Sequence, residues 1–149
     1  MSAIRIDNEL FFAEVAAQLA EGKRVRMRAR GNSMLPMIRH EQDSVTLQAV
    51  SDDSFRRGSL LLVRLPQGHY VLHRLVRVEG DELLLRGDGN LDLTERCSRS
   101  DVMAEAVEVL RGKRTIRKGD ARWWGYWRLW PRQPLMRRVG LKALRLIYK

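Results

Sequence analysis

Six apolar segments between residues 23 and 110 constrain the fold more than any other feature of this chain. They are KRVRMRAR (23–30), SVTLQAV (44–50), SLLLVRL (59–65), YVLHRLVRV (70–78), ELLLRG (82–87) and VMAEAVEVL (102–110). Each is too short for a typical helix, and valine and leucine dominate most of them, which is the signature of strands. Turn signals separate them: Asp52-Asp53, Pro66-Gln67-Gly68, Glu79-Gly80-Asp81 and Gly87-Asp88-Gly89-Asn90. Many short strands at this spacing imply a mainly β fold, either a partly open barrel or folded antiparallel sheets. In the first segment the period is strictly two. Val25, Met27 and Ala29 share one side, and Arg24, Arg26, Arg28 and Arg30 share the other. The arginine side reads either as a solvated face or as a contact surface for nucleic acid or lipid.

Two flanking regions follow other rules. Residues 8–21, NELFFAEVAAQLAE, read as a short helix. Leu10, Phe11, Val15 and Leu19 are expected on its buried face, with Asp7 or Asn8 as the cap and Gly22 as the stop. At the other end, residues 121–149 carry eight basic side chains and no acid, which is +8 of the net +10. All four tryptophans (Trp123, Trp124, Trp127, Trp130) fall there. Beyond Pro131 and Pro134, Leu135, Met136, Val139, Ala143, Leu146 and Ile147 line one helical face opposite Arg138, Lys142, Arg145 and Lys149. Such a segment suits an anionic membrane surface, to which indoles and basic side chains are both drawn. The alternative is that it packs on its own β-domain. The expected organisation is a helical segment at 1–22, a β-domain at 23–112 and a basic aromatic tail at 113–149.

Composition excludes several classes. The single cysteine, Cys97, rules out an internal disulfide, and the three histidines (His40, His69, His73) are not spaced as a zinc site. No run approaches the roughly 20 apolar residues of a membrane-spanning helix, and the N-terminus has no secretory-signal pattern. A cytoplasmic protein, peripheral on the membrane where the tail engages it, is the expectation.

The chemistry centres on GNSMLPMI (31–38). A serine hydroxyl is a poor nucleophile until a neighbouring base takes its proton. Histidine suits that task near neutral pH, and a carboxylate on its far nitrogen fixes the tautomer. Backbone N–H groups beside the serine must also hold the developing oxyanion. The chain offers, in order, Ser33 in GNSMLP, His73 in VLHRLV and Asp88 in RGDGN. Each also has a plainer reading. Ser33 suits a turn, His73 a strand core, and Asp88 a hairpin, where Gly-Asp-Gly-Asn is itself a strong turn signal. His40 and His69 read as solvated, and Cys97 as a small buried side chain.

These three segments, in this order, resemble the signal peptidase and LexA-like superfamily of serine peptidases. The family pattern is Gly-x-Ser-Met-x-Pro, a strand carrying the base followed by arginine, then Gly-Asp-x-Asn. Bacterial signal peptidases and self-cleaving repressors place lysine at the base position. Here His73 stands there, followed by Arg74, so the chain is similar to the histidine-base branch typified by endoplasmic-reticulum and archaeal enzymes. The resemblance spans roughly residues 23–112. It departs from the family at Gln42-Asp43 and Gly58-Ser59, where Gly-Asp is usual, and it lacks both a transmembrane helix and a helix-turn-helix domain. It implies a β-fold of the signal peptidase and LexA type. It also implies Ser33 as nucleophile, His73 as base and Asp88 as orienting acid, with Asp92 in reserve. The Ser33 N–H and the Asn32 side chain would hold the oxyanion, and Met34 and Leu35 would line the substrate cleft. The expected partner is a peptide or protein substrate, and no cofactor or metal is needed. The competing readings are a basic β-module that binds nucleic acid, or a catalytically silent relative that docks on a membrane or a partner. Nucleic acid is disfavoured because no aromatic residue is interleaved among Arg24–Arg30.

Overall fold

The computed structural model describes residues 2–28, 38, 43–65, 68–88 and 94–123. Helix α1 (Ser2–Ala20) precedes eight strands. They are β1 (Val25–Arg28), β2 (Asp43–Gln48), β3 (Leu60–Arg64), β4 (Tyr70–Glu79), β5 (Glu82–Arg86), β6 (Glu95–Ser98), β7 (Val102–Arg111) and β8 (Arg114–Arg117). All pairs are antiparallel, in the order β1-β2-β7-β3-β4-β5-β6, with β8 also on β7. The fold is therefore mainly β, and the sheet is not closed. Strand β7 organises it. One of its edges pairs β2 along Glu105–Arg111, while the other pairs β3 at Val102–Ala106 and β8 at Glu108–Arg111.

Strand β3 explains why its sequence is apolar without alternation, because both of its faces are buried. Leu60 and Leu62 enter a first cluster with Val45, Leu47, Ala104, Ala106 and Val109. Leu61 and Val63 enter a second cluster with Leu75, Leu83, Leu85 and Cys97. Strand β4 is handled differently. Its register against β5 slips between Leu75 and Arg77, so Val76 is the extra residue of a bulge. The slip returns Val78 to the face of Leu75, where both meet the second cluster, and leaves Arg77 and Glu79 in solvent.

Helix α1 closes the first cluster. It begins at Ser2, ahead of the expected caps Asp7 and Asn8. Among the residues whose burial is described, Val15 and Leu19 lie on the core face as expected, while Leu10 and Phe11 are exposed and Phe12 takes their place. Phe12 stacks on Tyr70 of β4 at 4.0 Å between ring centroids. The helix ends as expected at Gly22, whose φ is +81°. Gly22 N–H donates to Leu19 C=O and Lys23 N–H to Gln18 C=O, the paired bonds of a Schellman motif. Trp123, fully buried, completes the same cluster. Strands β6 and β8 were not expected, and β8 carries the sheet to Arg117. Among the described residues no helix is long and apolar enough to cross a membrane.

Candidate functional site

His73 lies in β4 directly opposite Leu61 of β3 and faces the second cluster. It is 4% exposed. A polar ring buried this deeply calls for a hydrogen-bond partner. Its Nδ1 lies 2.8 Å from Oε2 of Glu95, the first residue of β6. Glu95 reaches this place through the lateral row Leu75–Leu85–Glu95, which crosses β4, β5 and β6 on one face. A carboxylate can only accept, so the Nδ1 proton belongs to histidine, and the neutral tautomer keeps its lone pair on Nε2. Among the described residues Nε2 makes no hydrogen bond.

Arg74 follows His73 without a break in register and therefore points to the opposite face. It is 2% exposed. Its Nε donates to Oδ1 of Asp88 at 2.8 Å and its Nη2 to Oδ2 at 2.7 Å. Its Nη1 donates to the Gly58 carbonyl at 2.8 Å. Asp88 was expected to orient His73. The structure instead gives its carboxylate to the fork of Arg74 and places Glu95 on the histidine. The reason is the pleat, since adjacent strand residues cannot share a face and Asp88 sits on the arginine side. The arginine ties three points together: β4, the turn before β3 at Gly58, and the chain just past β5.

The remaining expected site residues, Asn32, Ser33, Met34 and Leu35, lie outside the described residues, as do Asp92 and His40. Asn32 to Leu35 and His40 fall between β1 and β2, and Asp92 between β5 and β6. Ile38 is buried in the first cluster. Asp43, at the start of β2, is fully buried, and Arg111 of β7 donates Nε to its Oδ1 at 3.0 Å and Nη2 to its Oδ2 at 2.8 Å. His69 is exposed, as expected.

Glu95 was missed because ERCS does not read as a strand; the only available signal was the alternation of Glu95 and Cys97 around Arg96. Cys97 is buried near that carboxylate. Burial pushes its thiol up to about 11, and Asp101 and Glu95 add to the effect. It therefore stays protonated near neutral pH and is no nucleophile. A separate buried carboxylate, Glu105, accepts from the Ser54 hydroxyl at 2.8 Å and from the Lys118 ammonium. Among the described residues no group of three or more His, Cys, Asp or Glu could hold a metal ion. No protein-family model matches the chain, and no curated protein matches it.

Proposed function

We propose that this protein is a serine endopeptidase in which Ser33 is the nucleophile, His73 the general base and Glu95 the orienting acid. The observation that carries the reading is the buried His73–Glu95 hydrogen bond at 2.8 Å. It sets the tautomer a base requires and leaves Nε2 to receive a proton. The order of GNSMLP, His73-Arg74 and Gly87-Asp88 along the chain, similar to the signal peptidase and LexA-like superfamily, supplies the serine.

In this mechanism Ser33 Oγ attacks the scissile carbonyl while His73 Nε2 takes its proton. The imidazolium is stabilised by Glu95, and the oxyanion by the Ser33 N–H and the Asn32 amide. The proton then passes to the leaving amine, and the acyl-enzyme is released by a water that His73 activates in turn. Asp88 acts at one remove, through Arg74, on the position of β4. The substrate is an extended peptide segment, main-chain paired beside a strand. No cofactor takes part. The proposed setting is the cytoplasm, where a lone thiol such as Cys97 stays reduced.

The test is covalent labelling by a fluorophosphonate probe. Wild type should label, and Ser33→Ala and His73→Ala should not. Labelling that survives Ser33→Ala, or a folded wild-type protein that never labels, would leave His73–Glu95 as a buried hydrogen-bonded pair in a non-catalytic β-module.

A further inference from the structure

Strand β1 stands at one end of the sheet. Among the described residues it pairs only β2, with Val25 opposite Leu47, Arg26 opposite Thr46, Met27 opposite Val45 and Arg28 opposite Ser44. Among those residues its other edge leaves main-chain N–H and C=O groups unpaired at every second position. The two faces beside that edge differ in chemistry. Val25 and Met27 pack on the first cluster but are only partly buried, so apolar surface reaches the edge. Arg26 and Arg28, on the opposite face, are exposed, and among the described residues neither has an acidic partner. The acid in their cross-strand row is Glu108, reached through Thr46. Its carboxylate already holds Arg117 at 3.0 Å, with Arg24 at 3.8 Å.

We infer that this edge takes up an extended acidic peptide as an added strand beside β1. Charge and pattern together select that occupant. A strand laid along the edge continues the alternation of β1. Its outer side chains stand about 5 Å from Arg26 and Arg28, within reach of a carboxylate on each. Its inner side chains lie beside Val25 and Met27, where β-branched apolar residues pack best. The chemistry recognised is therefore acid and apolar in alternation, not acidity alone. A nucleic acid or an anionic lipid surface uses the arginines but neither the open main-chain groups nor the apolar side, and β1 carries no aromatic ring for a base to stack on. With four residues, β1 offers few main-chain bonds, so the arginines supply much of the selectivity. Such recognition requires no chemistry at Ser33 and stands apart from the catalytic proposal.

Fluorescence anisotropy on the full-length protein tests this, with a short labelled peptide that alternates glutamate and valine as the probe. The peptide should bind wild type and Ser33→Ala alike. In the double variant Arg26→Glu, Arg28→Glu, both at exposed positions, affinity should fall about tenfold or more while the melting temperature holds. A peptide of the same composition with its glutamates grouped together should also bind about tenfold more weakly. N-methylation of every peptide amide, which keeps the charges and removes the main-chain donors, should abolish binding. Equal binding of the grouped or the methylated peptide overturns the inference, because charge alone is then read. Tighter binding of single-stranded DNA, or of vesicles of anionic phospholipid, that is lost in the same double variant overturns it in favour of that occupant. No binding of the alternating peptide overturns it and leaves the arginines as a guard against strand pairing. Peptide binding without fluorophosphonate labelling sinks the catalytic proposal alone, and labelling without peptide binding sinks this one alone.

Discussion

His73 and Arg74 are neighbours in β4, face opposite sides of the sheet, and each holds its own carboxylate: Glu95 on one side, Asp88 on the other. A two-residue stretch thus separates a polar pair suited to proton transfer from one suited to holding the chain in place. Arg74 cannot lose its proton, and its fork matches a carboxylate in two bonds, so the Arg74–Asp88 pair is fixed in charge and geometry. His73 can gain and lose a proton, and its partner decides which nitrogen carries it.

That division predicts opposite effects for two conservative substitutions. Glu95→Gln keeps the shape but removes the charge that stabilises an imidazolium. Fluorophosphonate labelling should slow about 100-fold or more, with little change in melting temperature. Asp88→Asn leaves Arg74 as a buried charge without its counter-ion, a change that costs about 3–5 kcal/mol. Its melting temperature should fall by about 10 °C, while the folded fraction labels at close to the wild-type rate. A folded, inert Asp88→Asn beside a fully active Glu95→Gln would restore Asp88 to the orienting role.

The strands that could be read from sequence were those whose burial is visible locally. Leu60–Val63 is apolar throughout because β7 and β4 flank β3 and clusters cover both of its faces. Strands β6 and β8 are four residues each, with two charged residues apiece, and they exist because β5 and β7 offer them an edge. Nothing local announces that. The site divides in the same way. His73 stood out by its place in an apolar strand, but its carboxylate partner is set by a row across three strands, and the Gly-Asp-Gly-Asn turn drew attention to Asp88, whose carboxylate lies on Arg74. Val15 and Leu19 of α1 are buried as expected, but Leu10 and Phe11 were misjudged for a related reason. Leu10, Phe11 and Phe12 are consecutive, and only the contact with Tyr70 shows which of them turns inward.

Cys97 gives a pH-dependent prediction whose sign is fixed by its raised value. The folded thiol keeps its proton up to about 11, against an ordinary value of 9.0. A group that holds its proton more tightly when folded stabilises the fold below the unfolded value, and that contribution disappears as pH climbs through the folded one. Between about pH 9 and 11 the loss should be about 2 kcal/mol. Urea unfolding across this window should show a steeper decline in wild type than in Cys97→Ala. At pH 7.5 the native thiol should resist a disulfide reagent that modifies it at once after unfolding. Rapid native-state modification would show that the burial is wrong.

Trp123 is fully buried, although it belongs to the stretch whose tryptophans were expected at a membrane surface. Trp123→Ala should cost about 3–5 kcal/mol by opening a cavity in the first cluster. Its indole Nε1 has no hydrogen-bond partner among the described residues, and an orphaned buried donor is worth about 1–3 kcal/mol against folding. Trp123→Phe removes that donor and fills much of the space, so it should cost far less than alanine. A protein ending at Asp120 should lose as much stability as Trp123→Ala. Thermal melts of the three variants decide the matter, and an alanine variant as stable as wild type would place the indole outside the core.

Gly22 isolates a purely conformational effect. Its φ of +81° lies in the left-handed region, yet a Cβ added there would meet nothing within 4 Å. Gly22→Ala should therefore cost only the backbone preference, about 1–2 kcal/mol. The loss should appear as fraying of the last turn of α1, because the bonds from Gly22 to Leu19 and from Lys23 to Gln18 depend on that conformation. Asn, which tolerates the left-handed region through its short polar side chain, should recover part of it. The informative measurement is amide exchange at Gly22 and Lys23 in the three proteins. If alanine matches glycine at both amides, the helix does not end in this motif, and the turn into β1 is held by the core contacts of Leu19 instead.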